Sequence, residues 1–351
     1  MSETADAVKK GVQQYYGEVL RSSADLKTGA CCATESMPSH LRPLLGKIHP
    51  EIQDRFYGCG SPIPPALDGK AVIDLGCGTG RDVYLIAQLV GEAGKVVGID
   101  MTKGQLALAQ RHLQDQMSAF HYSRTNVEFH HGYIEDLRSL AVADASMDVV
   151  VSNCVINLSP DKKAVFREIF RVLKPGGELY FSDVFAGRRL PQALQRDREL
   201  IGECLGGAMY IEDFRRTLRD IGCLDYRVMS RRRVGLDDPD IERKAGMVDF
   251  HSMTVRAFKL DLEDLCEDYG HVATYKGTIA EAPHAFHLDD HHLFRTGMPE
   301  RVCGNTYKML AETRFAPHFA FSGDFSTHYG AFPCGPAHPA ASSTPAAGAC
   351  C

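Results

Sequence analysis

Residues 71–90 read AVIDLGCGTGRDVYLIAQLV, and this stretch decides the fold. AVIDL is a short apolar run with strand character, and RDVYLIAQLV has helical periodicity. Between them lies a turn with glycine at 76, 78 and 80. A glycine-rich turn from strand to helix lets a ligand approach the backbone closely and sets it at a helix N-terminus. The same alternation continues outward. GKVVGID is a second strand, and a helix from Thr102 carries Leu106, Ala109, Leu113 and Met117 on one face. NVEFHHG and MDVVVSN are the third and fourth strands. DKKAVFREIFRVLKPGG is a helix stopped by Lys174–Gly177, and ELYFSDVF is the fifth strand. Alternation of this kind predicts a doubly wound α/β sheet with parallel strands and helices on both faces.

Beyond it, Pro191–Leu205 and Tyr210–Ile221 read as helices, Asp225–Arg231 as strand-like, and HSMTVRAFKL as a strand. The expected organisation is an arm over 1–69, a ligand-binding α/β domain over 70–235 and a smaller C-terminal α+β domain over 236–333. The Ala-, Pro- and Ser-rich end, 334–351, buries too little apolar surface to order itself and is read as a disordered tail carrying cysteines. No internal repeat is visible.

The formal charge of −6 argues against a nucleic-acid binder. Arg231–Arg233 is read as a solvated strand end rather than a phosphate patch. No stretch reaches the length of a membrane span and the N-terminus lacks a signal-peptide core, so the expectation is a cytoplasmic protein. Twelve cysteines are many for such a chain, and in a reducing compartment they are expected to be mostly thiols. No C-x-x-C pair signals a zinc ribbon or a thioredoxin-type site.

The loop variant narrows the ligand. A dinucleotide fingerprint needs Gly or Ala where this chain has Arg81, which counts against NAD. Asp74 adds an acid at the strand end, suited to a cationic or amine-bearing ligand. The pattern resembles the S-adenosylmethionine (SAM) loop of class I methyltransferases. On that resemblance Asp100, at the end of VGID, accepts hydrogen bonds from the ribose hydroxyls. Ile134 and Glu135 of HGYIEDL are the candidates for the adenine. Tyr57, Gly76, Gly78, Gly80, Met101, Gln105 and Asn153 complete the candidate cofactor set.

Cys154 follows the fourth strand, on the edge of the sheet where open α/β folds bind ligands. Cys204 follows the fifth strand, in GECLGGAMY beside Gly206–Gly207, and Cys59 lies in YGCG within the arm. DLGCGTGRD, GIDMTKGQ, HGYIEDL, SNCVINL, GGELYFSDV and GECLGGA, in this order, resemble the arsenite methyltransferases from about residue 15 to 235. YGCG, SNCVINL and ECLGGA are the most specific of these motifs. The resemblance implies that Cys59, Cys154 and Cys204 bind trivalent arsenic as the metal-like substrate. It implies too that Cys31 or Cys32 is an additional redox cysteine, the doublet leaving the choice open. Soft thiolates suit a thiophilic centre. Methylation formally oxidises arsenic, and a thiol pair returns two electrons by forming a disulfide. Thioredoxin or glutathione is then the expected reductant, and the enzyme is expected to be a monomer.

Two other readings stand beside this one: a methyltransferase for a small organic acceptor, and a non-catalytic thiol-rich arsenic-binding protein. The presence of Asp74, Gly76, Gly78, Gly80 and Asp100 favours turnover over mere binding. Cys77 is read as filling the loop, and Cys223, Cys266 and Cys303 as packing or surface thiols. HAFHLDDHH (His284–His292) has metal-ligating residue types, but its spacing fits no familiar ligand set and it is read as a solvated loop.

Overall fold

The structure is a computed structural model and describes residues 9–13, 15, 37–56, 58, 60–236 and 238–333. Cys31, Cys32, Tyr57, Cys59 and the tail from 334 therefore lie outside the described residues.

The central sheet starts with β1 (Ala71–Leu75), β2 (Lys95–Asp100), β3 (Val127–His131), β4 (Met147–Asn153) and β5 (Leu173–Ala186). These five run parallel in the order β3-β2-β1-β4-β5. Strands buried on both faces read as continuous apolar runs because alternate side chains enter different layers. Val72, Val96, Val149 and Val151 pack in one core with Tyr84 and Leu85 of the helix Arg81–Val90. Ile73, Leu75, Val97, Ile99 and Val150 pack in the other with Phe166, Phe181 and Phe214. The helix Lys162–Val172 starts where Asp161 accepts a hydrogen bond from the Ala164 N–H at 3.0 Å, a side-chain N-cap.

Beyond β5 the sheet changes polarity. The short β6 (Met209–Tyr210) pairs with the end of β5. β7 (Tyr226–Arg233) does not lie next to β5. β8 (Phe250–Phe258) is inserted between them, antiparallel to both, so the sheet is mixed rather than wholly parallel. The expected strand in HSMTVRAFKL is thus present, but it belongs to the central sheet. A boundary at 235/236 would separate β8 from β5, with which it shares a nine-residue ladder from Glu178↔Phe258 to Ala186↔Phe250. Arg231, Arg232 and Arg233 are exposed at the strand end, as expected.

The remaining strands are β9 (Val272–Tyr275), β10 (Ala285–His287), β11 (Leu293–Arg295), β12 (Pro299–Arg301) and β13 (Phe319–Ser322). They form an antiparallel three-stranded sheet, β12-β9-β13, and a β10-β11 pair around their own core of Tyr275, Phe286, Phe294, Phe315 and Phe319. Buried charge joins this unit to the central sheet. Arg256 of β8 donates to Glu178 of β5 at 2.6 Å and to the Leu288 carbonyl at 2.8 Å, and Arg314 pairs with the other Glu178 oxygen. The HAFHLDDHH segment belongs to the same seam and is not simply solvated. Asp289 is fully buried, 3.2 Å from the Arg227 guanidinium of β7 and 2.7 Å from His292 Nδ1. Arg227 already supplies a positive charge to Asp289. Only a contact between β7 and this segment, which are about sixty residues apart in sequence, could have shown that.

Among the described residues no helix is long and apolar enough to cross a membrane.

Candidate active site

A cavity opens at the C-terminal ends of β1, β2 and β4, as the parallel topology requires of an open α/β fold. Asp74, Gly76, Gly78, Asp100, Met101, Gln105, Ile134, Glu135 and Asn153, nine of the sequence-derived cofactor residues, line it. Gly80 stands just behind, at φ 85°, as the N-cap of the helix Arg81–Val90. The loop is built to expose its backbone. Gly76 has φ 77° and Gly78 φ 55°, and a Cβ on Gly78 would meet nothing within 4 Å. Left-handed backbone with open space beside it is the geometry that glycine allows.

Asp100 is fixed by the loop itself, accepting from the Gly78 N–H at 2.9 Å and the Thr102 N–H at 2.7 Å. Burial nevertheless pushes its carboxyl above the usual range, with those hydrogen bonds acting the other way. Asp74 is also buried, and burial raises its carboxyl well above the ordinary value, with Asp82 and Asp100 adding to the effect. Asp82 is held by Arg81 (2.7 Å) and by the Asn153 amide (3.0 Å). The Arg81 guanidinium acts on Asp74 in the opposite sense. The cavity is lined by four acids, Asp74, Asp82, Asp100 and Glu135, and three basic residues, Lys9, Arg55 and Arg81. With Arg81 on Asp82 and Lys9 on Glu135, the carboxylates of Asp74 and Asp100 are the ones left to face a ligand.

Several lining residues have no motif in the sequence. Lys9 and Val12 come from an N-terminal helical segment, residues 9–13. Lys9 pairs with Glu135 at 3.3 Å and lies 4.1 Å over the Tyr133 ring, while Gln13 donates to the Met101 carbonyl at 3.0 Å. Tyr15 continues the same contact by donating to Glu203, next to Cys204, at 3.0 Å. Arg81 stacks on Phe56, 3.0 Å from its ring centroid. Asp82 was within reach of sequence reading, since it ends the quoted DLGCGTGRD motif. The N-terminal segment was not, because only the tertiary fold lays it over the loop.

Cys154 also lines this cavity and is nearly buried. Its N–H donates to the Ser182 carbonyl at 2.8 Å, so it extends the β4–β5 ladder by one residue. Cys204 is fully buried two residues beyond the helix Arg198–Gly202, and its Sγ lies 3.4 Å from the Cys154 carbonyl oxygen. Two of the three expected arsenic cysteines therefore meet, although fifty residues apart. The third, Cys59, lies outside the described residues. Cys154 is disulfide-bonded here, whereas Cys77, Cys204, Cys223, Cys266 and Cys303 are thiols. Cys77 is buried in the loop against Gly98, in keeping with its packing role, and burial pushes its thiol pKa well up.

The profile of a methyltransferase domain matches residues 66–222, and that of the arsenite methyltransferase C-terminal domain matches residues 269–350. The arsenite methyltransferase of Aquipseudomonas alcaligenes is 56% identical over 324 residues, 92% of this chain and 93% of that one. This chain belongs to the arsenite methyltransferase family. The human arsenite methyltransferase is 41% identical over 324 residues, covering 91% of this chain and 85% of its own. The crystal structure of an arsenic(III) S-adenosylmethionine methyltransferase from Chlamydomonas reinhardtii has a TM-score of 0.82 at 46% identity. It covers 84% of this chain and 99% of that one.

The protein is accordingly a SAM-dependent methyltransferase, and its cavity fits that methyl donor. SAM carries an ammonium and a sulfonium, cations that the buried Asp74 carboxylate would accommodate, while Asp100 would accept from its ribose hydroxyls. Gly78 leaves room for the ligand against the backbone. Ile134 supplies an apolar wall, beside a Glu135 already held by Ser159 at 2.8 Å.

Proposed function

We propose that the chain methylates trivalent arsenic, first arsenite and then methylated arsenicals, held as a thiolate adduct by Cys59, Cys154 and Cys204. The observation that carries this reading is the meeting of Cys204 Sγ with the Cys154 carbonyl, on the wall of the cofactor cavity. A cysteine pair placed there serves no need of cofactor binding. An organic acceptor would not call for two converging cysteines.

Three thiolates occupy the three bonds of As(III) and leave its lone pair free to act as nucleophile, so the transfer needs no general base. SAM, when bound, supplies an electrophilic sulfonium methyl. The residues of this chain have two tasks. The thiolates hold arsenic at the cavity wall, and the loop with Asp74 and Asp100 holds the donor, so that orientation provides most of the rate. As the As–C bond forms and the S–CH3 bond breaks, arsenic goes formally from trivalent to pentavalent. Two thiols, one of them Cys31 or Cys32, return it to the trivalent state by giving up two electrons and forming a disulfide. Thioredoxin or glutathione then reduces that disulfide. The enzyme works as a monomer in the cytoplasm, where thiols are kept reduced.

The test is transfer of label from methyl-labelled SAM to arsenite by the reduced, full-length protein. Labelled methylarsenicals are expected. Label that stays on SAM, or appears on an organic acceptor instead, overturns the proposal. Serine at both Cys31 and Cys32 should spare methylation of monomethylated trivalent arsenic more than that of arsenite; equal loss on both contradicts the redox role.

A further inference from the structure

Three residues of the distinctive motifs have no part in the chemistry above: Asn157 of SNCVINL, Asp183 of FSDV and Gly207 of ECLGGA. All three meet at one point. Asn157 sits in the 3-10 turn Ile156–Leu158, three residues beyond Cys154, and both it and Asp183 are buried. Its amide Nδ2 donates to Asp183 Oδ1 at 2.7 Å and to the Val184 carbonyl at 2.6 Å, and its backbone N–H donates to Asp183 Oδ2 at 3.0 Å. The turn after Cys154 is thereby fastened to the end of β5.

Gly207, three residues beyond Cys204, closes the arrangement from the other side. A Cβ at position 207 would lie 1.9 Å from the Asn157 carbonyl oxygen, so the two backbones touch where only glycine fits. The Cys204 turn thus meets the Cys154 turn twice, at the Cys154 carbonyl through Sγ and at the Asn157 carbonyl through Gly207. Both cysteines sit in the left-handed region, Cys154 at φ 57° and Cys204 at φ 60°. For a residue with a Cβ this conformation costs roughly 1–2 kcal/mol, and it persists only where the surroundings over-determine it.

We propose that Asn157 is a positioning residue for the arsenic site. Clamped by Asp183, it fixes the carbonyl against which Gly207 packs, and so sets the separation of the Cys154 and Cys204 sulfurs. The residue types follow from this role. Position 157 must donate from its side chain to a carboxylate and a carbonyl at once, which an amide does and an acid does not. Position 183 must accept three N–H donors, from Asn157 twice and from Val184 at 2.8 Å, which suits a carboxylate. The inference rests on the reading of Cys154 and Cys204 as arsenic ligands.

The experiment compares Asn157→Ala with Asn126→Ala in the reduced full-length enzyme. Asn126 is a matched control: it too is a buried asparagine, and its amide donates to the carbonyls of Ala87 and Gly91, both at 2.9 Å, away from the thiols. Arsenite affinity, SAM affinity and melting temperature are measured for each. Both variants are expected to melt earlier. Only Asn157→Ala should weaken arsenite binding and raise its KM, on the order of 10- to 100-fold, as small misplacements do, with SAM affinity unchanged.

Asn157→Ser, which keeps one donor, should fall between wild type and alanine and serves if the alanine variant does not fold. Equal arsenite affinity in the Asn157 and Asn126 variants overturns the positioning role. So does a parallel loss of SAM affinity. If instead wild-type arsenite affinity is indifferent to serine at Cys154 and Cys204, the thiol reading itself fails, and the two failures are told apart.

Discussion

Two sets of left-handed backbone positions face each other around the end of β4. In the cofactor loop they are filled by Gly76, Gly78 and Gly80. In the thiol turns they are filled by Cys154 and Cys204. Cys204 stands at the position just past a helix C-terminus where glycine is the usual choice. Glycine takes up this conformation without strain, so the cofactor loop needs no tertiary contact to tolerate its dihedral angles, although Ile99 and Asp100 anchor its N–H groups. A cysteine in this conformation is held by its surroundings, among them the disulfide at Cys154, Ser182 through the Cys154 N–H, and Asn157 with Gly207 between the turns. The cofactor loop is thus unstrained in its backbone, whereas the turns of the proposed acceptor site are strained and held by distant segments.

The largest effect that separates the two regions is chemical. Cys154→Ser and Cys204→Ser should each lower methyl transfer to arsenite by on the order of 100-fold or more while SAM affinity, read by calorimetry, stays at the wild-type value. Activity that survives either change would erase the distinction. The converse variant, Asp74→Asn, should weaken SAM binding by roughly 10- to 100-fold, the range for losing one charged hydrogen bond, and leave arsenite binding intact.

A smaller effect comes from Asp183. Burial pushes its carboxyl up to about 7 from 3.8, against the hydrogen bonds of Val184 and Asn157 and the charge of Lys162. A folded pKa above the unfolded one means that the native state holds the proton more tightly. The stabilisation is complete below about pH 4 and is lost as pH rises to about 7, with a slope of at most about 1.4 kcal/mol per pH unit. Asp183→Asn should remove that slope from the difference between variant and wild-type denaturation curves; identical slopes would contradict the assignment.

The smallest effect compares backbone strain directly. Gly80→Ala puts a Cβ at φ 85°, 3.0 Å from the Phe129 ring, and should cost about 1–2 kcal/mol. Cys204→Gly relieves strain but deletes a buried thiol, so its net change should stay within about 1 kcal/mol. Thermal melts of the two variants test whether the cysteine turns are the strained ones.

The lining of the cavity was legible residue by residue. Asp74, Asp100, Ile134 and Glu135 each end or follow a strand of the parallel half, where strand order and ligand edge follow from the βαβ rhythm. The same rhythm carries no information about β8. Its run is as apolar as any other, but its insertion between β5 and β7, antiparallel to both, is decided by which edge remains open once the parallel strands have packed. Lys9 and Val12 were illegible for a similar reason, since an arm's landing place is not encoded near the arm.

Periodicity and the glycine loop, both local properties, determined the α/β class and the ligand edge of the sheet, and the resemblance of the chain's motifs pointed to the donor and the candidate thiols. That Cys154 and Cys204 meet, and that Asn157, Asp183 and Gly207 hold them, was decided only in three dimensions. The reason is physical. Glycine marks a left-handed turn in the sequence because its missing Cβ permits that turn anywhere, whereas a cysteine in the same conformation is held by contacts from segments distant in the chain.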